Sequence, residues 1–225
     1  MKALIFDSST LISLSMNGLL EYLGKLKEIF DGKFIITKEV KQEVIDKPLT
    51  IKRFELEALR VRDLIYKKIL EMPDSLGVKD SKISSKTKEI MDIANSTFME
   101  KNRNIHLLSD GEASCMALSK ILDQKKMQNV ICVDERTARM LSEKPENLKK
   151  LMEKKLHTKI ITKTQNYNFF NGFKFIRSTE LIYVAYKKKL IHIKNGVLLD
   201  ALLYALKFKG CAVSDDEIEG IKKLT

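Results

Sequence analysis

Long hydrophobic runs are lacking in this chain of 225 residues. No apolar stretch approaches the roughly 20 residues that a membrane-spanning helix needs. The first residues, MKALIFDSST, turn polar too early for a secretory signal peptide. We therefore expect a cytoplasmic protein with no membrane partner. Because 44% of its residues are hydrophobic, residues 1–225 can form the core of a single globular domain.

Cysteine and histidine are also scarce, with three residues of each. The cysteines (Cys115, Cys132 and Cys211) are odd in number, lie in apolar segments and lack the spacing of metal ligands. These features favour packing in the core over a disulfide or a zinc site. The histidines are scattered along the chain, and we assign them no catalytic role.

Tryptophan is absent and only 7% of the residues are aromatic, so no platform for stacking single-stranded bases is indicated. Positive charge is in excess instead. The chain has 41 Lys and Arg against 30 Asp and Glu, which gives a net charge of +11 and a pI near 9.4. This excess favours a polyanionic partner bound mainly through its phosphates. Lysine runs such as 187–189 are also typical of a solvated helix face, so they are only candidate contacts.

Apolar strands alternate with helical segments along the chain. The strands are KALIF (2–6), KFIIT (33–37) and NVICV (129–133). The first precedes one long amphipathic stretch (11–30), Thr37 is placed to cap the helix after the second, and Asp134 is expected to open the helix after the third. This alternation predicts an α/β fold, a three-layer sandwich around a central parallel sheet of four to five strands.

Two regions extend this pattern. Segment 49–104 is charged and helical, which predicts a helical hairpin inserted between the halves of the sheet. After the helical sequence ENLKKLMEKKL, residues 157–176 contain strand-like pieces. Segment 176–225 then predicts two closing amphipathic helices, RSTELIYVAYKKKLI and NGVLLDALLYALKFKG.

Four acidic residues occupy related positions in these elements. Asp7 and Asp134 directly follow apolar strands, Glu43 lies on the helix after the second strand, and Glu112 begins the helix of LLSDGEASCMALSKIL. The carboxyl ends of parallel strands face one crevice, where the four side chains could meet. Carboxylates brought together repel one another unless a cation neutralises them, and oxygen ligands suit Mg²⁺ or Mn²⁺. In a basic protein this combination predicts a nuclease that uses metal ions in phosphodiester hydrolysis.

The segments IFDSSTLISL, ITKEVKQEVI, LSDGEASCMALS and VICVDERTAR resemble, in order and context, the successive motifs of PIN-domain proteins. The end of the chain, from FIRSTELIYV to ALKFKGCAVS, resembles the tail of the branch whose third motif carries Gly-Glu-Ala. The resemblance covers roughly residues 1–48 and 105–215 and leaves the central helices outside it. It implies a PIN-like fold and a Mg²⁺- or Mn²⁺-dependent endoribonuclease acting on single-stranded or structured RNA.

The resemblance also implies roles for individual residues. The metal-binding and catalytic acids would be Asp7, Glu43, Glu112 and Asp134. Ser9 would orient the first acid or a metal-bound water. Asp110 is an alternative to Glu112, and Glu135 is a neighbour of Asp134 whose role the family leaves open. Because many members are toxins paired with antitoxins and PIN-like proteins often pair, an antitoxin protein and a homodimer are candidate partners; others process ribosomal RNA precursors. The central insertion departs from the short toxin pattern.

Each acid has a structural alternative. The sequence Ser-Asp-Gly-Glu at 109–112 matches a capping box, in which the glutamate bonds back to the start of its own helix. Asp7 and Asp134 could be helix N-caps. Glu39 lies one turn before Glu43 and competes with it on spacing alone. Only the conjunction of four acids in the family's order favours a site.

Two other functions stay open. A non-catalytic protein with the same fold would bind RNA or act as a scaffold without using the acids. An aspartate-dependent phosphatase would use Asp7 as its nucleophile. Against the phosphatase, Ser9 stands where the haloacid-dehalogenase-like pattern has a second aspartate.

Overall fold

The structure is a computed structural model that describes residues 1–192 and 196–224. Its strands are β1 (Lys2–Phe6), β2 (Lys33–Ile35), β3 (Phe98–Glu100), β4 (Arg103–Asn104), β5 (Gln128–Cys132), β6 (Ile161–Thr162) and β7 (Phe175–Ile176). Its α-helices are α1 (Ser8–Met16), α2 (Glu21–Ile29), α3 (Lys38–Lys41), α4 (Glu55–Tyr66), α5 (Asp80–Asn95), α6 (Asp110–Gln124), α7 (Arg136–Glu143), α8 (Pro145–Leu156), α9 (Ser178–Lys187), α10 (Leu198–Phe208) and α11 (Asp215–Lys222).

The main sheet contains four parallel strands in the order β2-β1-β5-β7. Strand β1 lies in its centre and pairs with β5 from Lys2, opposite Gln128, to Phe6, opposite Cys132. Ile5 and the neighbouring Phe6 are completely buried, as expected for a strand covered on both faces. The parallel α/β fold with at least four strands is therefore confirmed.

The helices pack in two groups. Helix α1 contacts α4 and α9, whereas α6 contacts β1, β5 and α5. Connections between parallel strands are right-handed. The chain moves one way across the sheet from β1 to β2 and the other way from β2 to β5, so α1 and α6 lie on opposite faces. The arrangement is compatible with a three-layer α/β sandwich. Among the described helices, none is both long and apolar enough to cross a membrane.

The prediction of a helical hairpin in 49–104 is wrong. Helix α4 packs against α1 and against a π-helix (Gln42–Asp46), whereas α5 packs chiefly against α6. Between them, Glu71 joins the edge of the main sheet, because its N–H donates to Phe34 at 2.8 Å and its carbonyl accepts from Ile36 at 3.1 Å. The segment thus extends the sheet and separates two helices instead of pairing them.

A second sheet was not predicted from the sequence. It is antiparallel, with the order β4-β3-β6. Strands β3 and β4 lie within the segment expected to be helical, and β6 comes from the region 157–176 that was expected to contain strand-like pieces. That expectation is confirmed by β6 and β7. Strands of two or three residues carry too little periodicity to be recognised in a helical context.

Three further boundaries differ from the predictions. The amphipathic stretch 11–30 forms two helices, α1 and α2, because the chain turns between them at Gly18, where φ is +68°. Asp134 does not open a helix, since α7 begins at Arg136 with Glu135 as its N-cap. The closing segment contains a third helix, α11, beyond the predicted two. Residues 193–195 and 225 of that segment, including Asn195 at the start of the second predicted helix, lie outside the described residues.

Candidate functional site

Asp7 stands at the point where β1 passes into α1. Its backbone N–H continues the sheet by donating to the Cys132 carbonyl at 2.9 Å. Its Oδ2 atom caps α1 by accepting from the Ser9 N–H at 3.0 Å and the Ser9 hydroxyl at 2.5 Å. Its Oδ1 atom is buried and has no hydrogen-bond partner among the described residues. Burial raises the pKa of Asp7 to about 6 although the Ser9 hydrogen bonds lower it, and the charge of Glu43 raises it further.

Ser9 connects the ends of two neighbouring strands. Its hydroxyl donates to Asp7 and accepts from the backbone N–H of Asp134 at 3.0 Å. One side chain thereby fixes both the carboxylate after β1 and the backbone after β5. The resemblance implied an orienting role at this position, and the contacts of Ser9 are those of a positioning residue.

Glu112 uses its two carboxylate oxygens differently. Oε2 accepts from the Ser109 N–H at 3.0 Å, and the Ser109 hydroxyl accepts from the Glu112 N–H at 3.1 Å, which completes the capping box of α6. Oε1 is buried and has no hydrogen-bond partner within the part of the chain described. Burial raises the pKa of Glu112 to about 7, and the charges of Asp7 and Glu135 raise it further. The capping role and a site role are thus compatible, because each uses its own oxygen.

Glu43 reaches the same place from the π-helix Gln42–Asp46, a type of turn that is frequent at functional sites. Its Oε1 atom accepts from the Gly111 N–H at 3.2 Å. A Cβ atom at Gly111 would lie 2.6 Å from Glu43 Oε2, so this approach requires glycine. Glu39, the competing residue, also has a buried oxygen without a partner in the described chain, but Gly111 contacts Glu43.

Asp7, Glu43 and Glu112, which we call the acid cluster, all act electrostatically on one buried thiol, that of Cys115. The pKa of Cys115 lies well above its ordinary value because the thiol is buried and because all three carboxylates act on it. The thiol itself donates to the Phe6 carbonyl at the end of β1. The three acids therefore lie within electrostatic range of one another near the carboxyl end of the central strand. Cys115, Cys132 and Cys211 are all buried free thiols.

Asp134 is completely buried but belongs to a different hydrogen-bond network. Its Oδ1 accepts from the Ser178 N–H at 2.7 Å and the Thr10 hydroxyl at 3.4 Å, and its Oδ2 accepts from the Ser178 hydroxyl at 2.6 Å. Its carbonyl accepts from Ala212 at 2.9 Å. Asp134 thus joins the end of β5 to the first turn of α9 and to the chain after α10, while Ser9 links it to the acid cluster.

Sequence analysis missed the partners of Asp134. Thr10 lies in the Asp-Ser-Ser-Thr sequence that follows β1, where only Asp7 and Ser9 were considered. Ser178 opens α9, and a Ser-Thr pair at the start of a helix is a recognisable capping signal. The long separation of 44 residues between Ser178 and Asp134 hid their contact from pattern reasoning.

The two remaining acids, Asp110 and Glu135, are exposed. Asp110 lies in the first turn of α6, where a negative charge complements the helix dipole. Within residues 1–192 and 196–224, no group of three or more His, Cys, Asp or Glu side chains is arranged to hold a metal ion. The donor chemistry of the acid cluster nevertheless fits Mg²⁺ or Mn²⁺, because its members are all carboxylates and two of their oxygens are buried without a hydrogen-bond donor in the described chain.

A groove begins at Glu43 and runs between α1 and α4. Its volume is 530 Å³. The residues that line it are Leu11, Ile12, Ser15, Met16, Glu43, Val44, Lys47, Pro48, Ile51, Arg53, Phe54, Glu57, Ala58 and Val61. An apolar depression therefore adjoins the acid cluster.

Comparisons of the chain with protein-family models, with curated proteins and with solved structures found no match. Inference about function therefore rests on the residues themselves.

Proposed function

We propose that the protein is a metal-dependent endoribonuclease of the PIN type, in which the acid cluster holds Mg²⁺ or Mn²⁺ at the scissile phosphate. One observation carries the proposal. Asp7 Oδ1 and Glu112 Oε1 are buried, lack a hydrogen-bond partner among the described residues and lie in a cluster with Glu43. A buried carboxylate oxygen without a donor is costly unless a cation neutralises it.

The surrounding protein supports a nucleic-acid substrate. The net charge of +11 attracts a polyanion, while the acid cluster would repel the same phosphates unless a cation lay between them. The order of the acids along the chain and their placement at strand ends accord with the resemblance to PIN-domain proteins. These features together favour phosphodiester hydrolysis over a non-catalytic role, because a scaffold does not need buried acids.

A divalent cation bound here would supply neutralisation of the phosphate and activation of the attacking water. Asp7 and Glu112 would bind it through Oδ1 and Oε1, and Glu43 would contribute from the π-helix. Ser9 orients the Asp7 carboxylate through its hydroxyl and N–H. The first turn of α6 orients the other two acids, because Ser109 donates to Glu112 and Gly111 donates to Glu43.

Asp134 has a supporting role in this proposal. Ser178 and Thr10 already donate to both of its carboxylate oxygens, so direct binding of a cation would require some of these hydrogen bonds to break. Its effect on the site passes through Ser9, which accepts from its backbone N–H. Asp134 is therefore a positioning residue.

The direct test is incubation of a single-stranded RNA with the full chain in Mn²⁺, in Mg²⁺ and in EDTA. We expect cleavage that requires the cation and falls by at least about 100-fold in Asp7→Asn, because removal of a charge that stabilises the transition state costs about 3 kcal/mol or more. Glu21→Gln is the matched control, since Glu21 is an exposed acid on α2, and it should cleave like the wild type.

RNA that is bound but never cleaved in either cation would contradict the proposal and favour the non-catalytic alternative. Equal cleavage by wild type and Asp7→Asn would also contradict it, because the activity would then arise elsewhere or from a contaminant.

A further inference from the structure

The groove beside Glu43 has walls suited to an apolar ligand. Its 530 Å³ lies within the range of about 300–1,000 Å³ that is typical of small-ligand sites. Leu11 and Met16 of α1 and Val61 of α4 are among its apolar lining residues. Phe54 stands at the N-cap of α4 with 44% of its surface exposed, so part of its ring is accessible to a ligand.

The charges along the groove are balanced. Lys47 and Arg53 are matched by Glu43 and Glu57. The Arg53 guanidinium lies 5.4 Å from the centroid of the Phe54 ring. An aromatic ring paired with a guanidinium stacks nucleobases without regard to sequence. A neutral planar group fits this balance better than an anion does, and the Glu57 carboxylate can accept a hydrogen bond from an exocyclic amine.

The groove adjoins the acid cluster, and this position indicates which nucleotide could place its base in the groove. Glu43 belongs both to the cluster and to the groove, so a strand whose phosphate lies at the cluster brings its neighbouring nucleotide to the groove. We propose that the groove binds an unstacked nucleobase of a single-stranded RNA next to the scissile phosphate. The placement of the strand rests on the proposed function.

A groove that binds an unstacked nucleobase restricts which RNA structures can be substrates. A base can enter the groove only when it leaves its stack, which costs a few kcal/mol in a duplex and little in a single strand. The groove therefore selects single-stranded segments, loops and bulges over paired RNA. Phe54 would supply the stacking surface, while Lys47 stands next to the bound base as a contact for a phosphate.

The test compares two arginine–aromatic pairs, one just before α4 and one in its last turns. In the second pair the Arg62 guanidinium lies 5.7 Å from the centroid of Tyr66, which is 73% exposed and does not line the groove. Fluorescence anisotropy in Ca²⁺, which carboxylate oxygens also bind, measures the affinity for a single-stranded oligoribonucleotide and for an abasic strand of equal length. Gel electrophoresis of the same samples confirms that both strands stay intact. We expect Phe54→Ala to weaken binding of the base-bearing strand about 5- to 150-fold, because stacking contributes about 1–3 kcal/mol per base, and to leave the abasic strand unaffected. Tyr66→Ala should change neither affinity.

Two results would overturn the inference. One is equal binding by Phe54→Ala and the wild type. The other is a wild-type dimer, seen in sedimentation, that Phe54→Ala converts to a monomer while RNA affinity is retained, because the groove would then be a protein interface. Metal-dependent hydrolysis of bis(p-nitrophenyl) phosphate by the same proteins reports on the acid cluster separately. Its absence alongside base-dependent binding would contradict the nuclease proposal and leave the base site standing.

Discussion

Asp7 and Asp134 follow adjacent strands and are both buried, yet their carboxylates have opposite surroundings. Asp134 accepts three hydrogen bonds that satisfy both of its oxygens. Asp7 is held on one oxygen by Ser9, and its Oδ1 atom has no partner in the residues described. Ionisation of Asp7 is therefore opposed by burial, whereas the negative charge of Asp134 is matched by donors.

These surroundings predict opposite effects of the same substitution on the metal-free protein. Asp7→Asn removes a buried charge and should increase the free energy of unfolding near pH 8 by about 1–3 kcal/mol, since burial raises the pKa of Asp7 from its ordinary value of 3.8 to about 6. Asp134→Asn should decrease it by about 1–3 kcal/mol, because an amide nitrogen would then face the donors of Ser178 or Thr10. Urea denaturation in EDTA measures both. A loss of stability in Asp7→Asn would contradict this account.

The pH dependence follows from the same carboxyls. The folded protein keeps a proton on Asp7 up to about pH 6 and on Glu112 up to about pH 7, whereas the unfolded chain releases these protons near the ordinary pKa values of 3.8 and 4.5. The folded state therefore binds more protons between these limits. In EDTA, the stability contribution of both groups falls as pH rises from about 4 to about 7, and Asp7→Asn should remove part of that decline.

For individual residues, the sequence indicated where the candidate acids lie in the chain's strands and helices better than it indicated which contacts they make. Asp7 and Glu112 could be located because each follows a recognisable strand or helix start. Spacing alone did not separate Glu43 from Glu39, and only the family resemblance favoured Glu43. The division of Glu112 between a capping oxygen and an open one could not be predicted, because a capping box and a ligand have the same sequence. The Ser178 contact of Asp134 depends on how α9 returns to the sheet, which no local pattern encodes.

Helix α6 contributes to the site mainly through the residues at its N-terminus. Gly111 allows Glu43 to approach the helix, and the Ser109 capping box aims Glu112. The neighbouring element, the π-helix Gln42–Asp46, supplies Glu43 from the other side. The acid cluster is therefore built from residues at the ends of strands and helices and on the short π-helix.

Gly111→Ala tests this arrangement. The added Cβ would lie 2.6 Å from Glu43 Oε2, the end of a flexible side chain, so the Glu43 carboxylate should move away at little cost in stability. We expect the affinity for Mn²⁺ to fall about 10-fold or more, in line with the loss of a ligand's support. The unfolding free energy should change by less than about 1 kcal/mol, because alanine favours the helix.

Gly220→Ala in α11 is the matched control, because its Cβ would meet nothing within 4 Å. It should gain helix propensity and leave Mn²⁺ affinity unchanged. Equal Mn²⁺ affinity in Gly111→Ala and the wild type would show that Glu43 does not take part in binding the cation.

Elements with a clear period were predictable from the sequence. Strand β1 has the predicted bounds, and Thr37 caps α3 through its hydroxyl, which accepts from Val40 at 3.3 Å. The region 49–104 was predicted to be a helical hairpin because its two helices are amphipathic. Its strands are too short to show alternation and were therefore not recognised. Its edge contact through Glu71 consists of backbone hydrogen bonds, which side-chain patterns do not reveal.

On the scale of the whole molecule, the chain has a net positive charge, whereas the acid cluster concentrates negative charge at one place in it. The net charge of +11 would attract RNA without selecting where it is cut, because phosphate contacts carry little sequence information. In the proposed function the acid cluster would supply the place of chemistry, and the groove would supply a preference for unpaired bases. The proposed chemistry depends on one claim, that the acid cluster binds a divalent cation.

Calorimetric titration of the metal-free protein with Mn²⁺ tests that claim most directly. The account predicts binding that strengthens from about pH 6 to about pH 8, with release of protons at the lower pH, because Glu112 must lose its proton to become a ligand. Asp7→Asn should bind at least about 10-fold more weakly. Absence of binding, or equal binding by wild type and Asp7→Asn, would contradict the account.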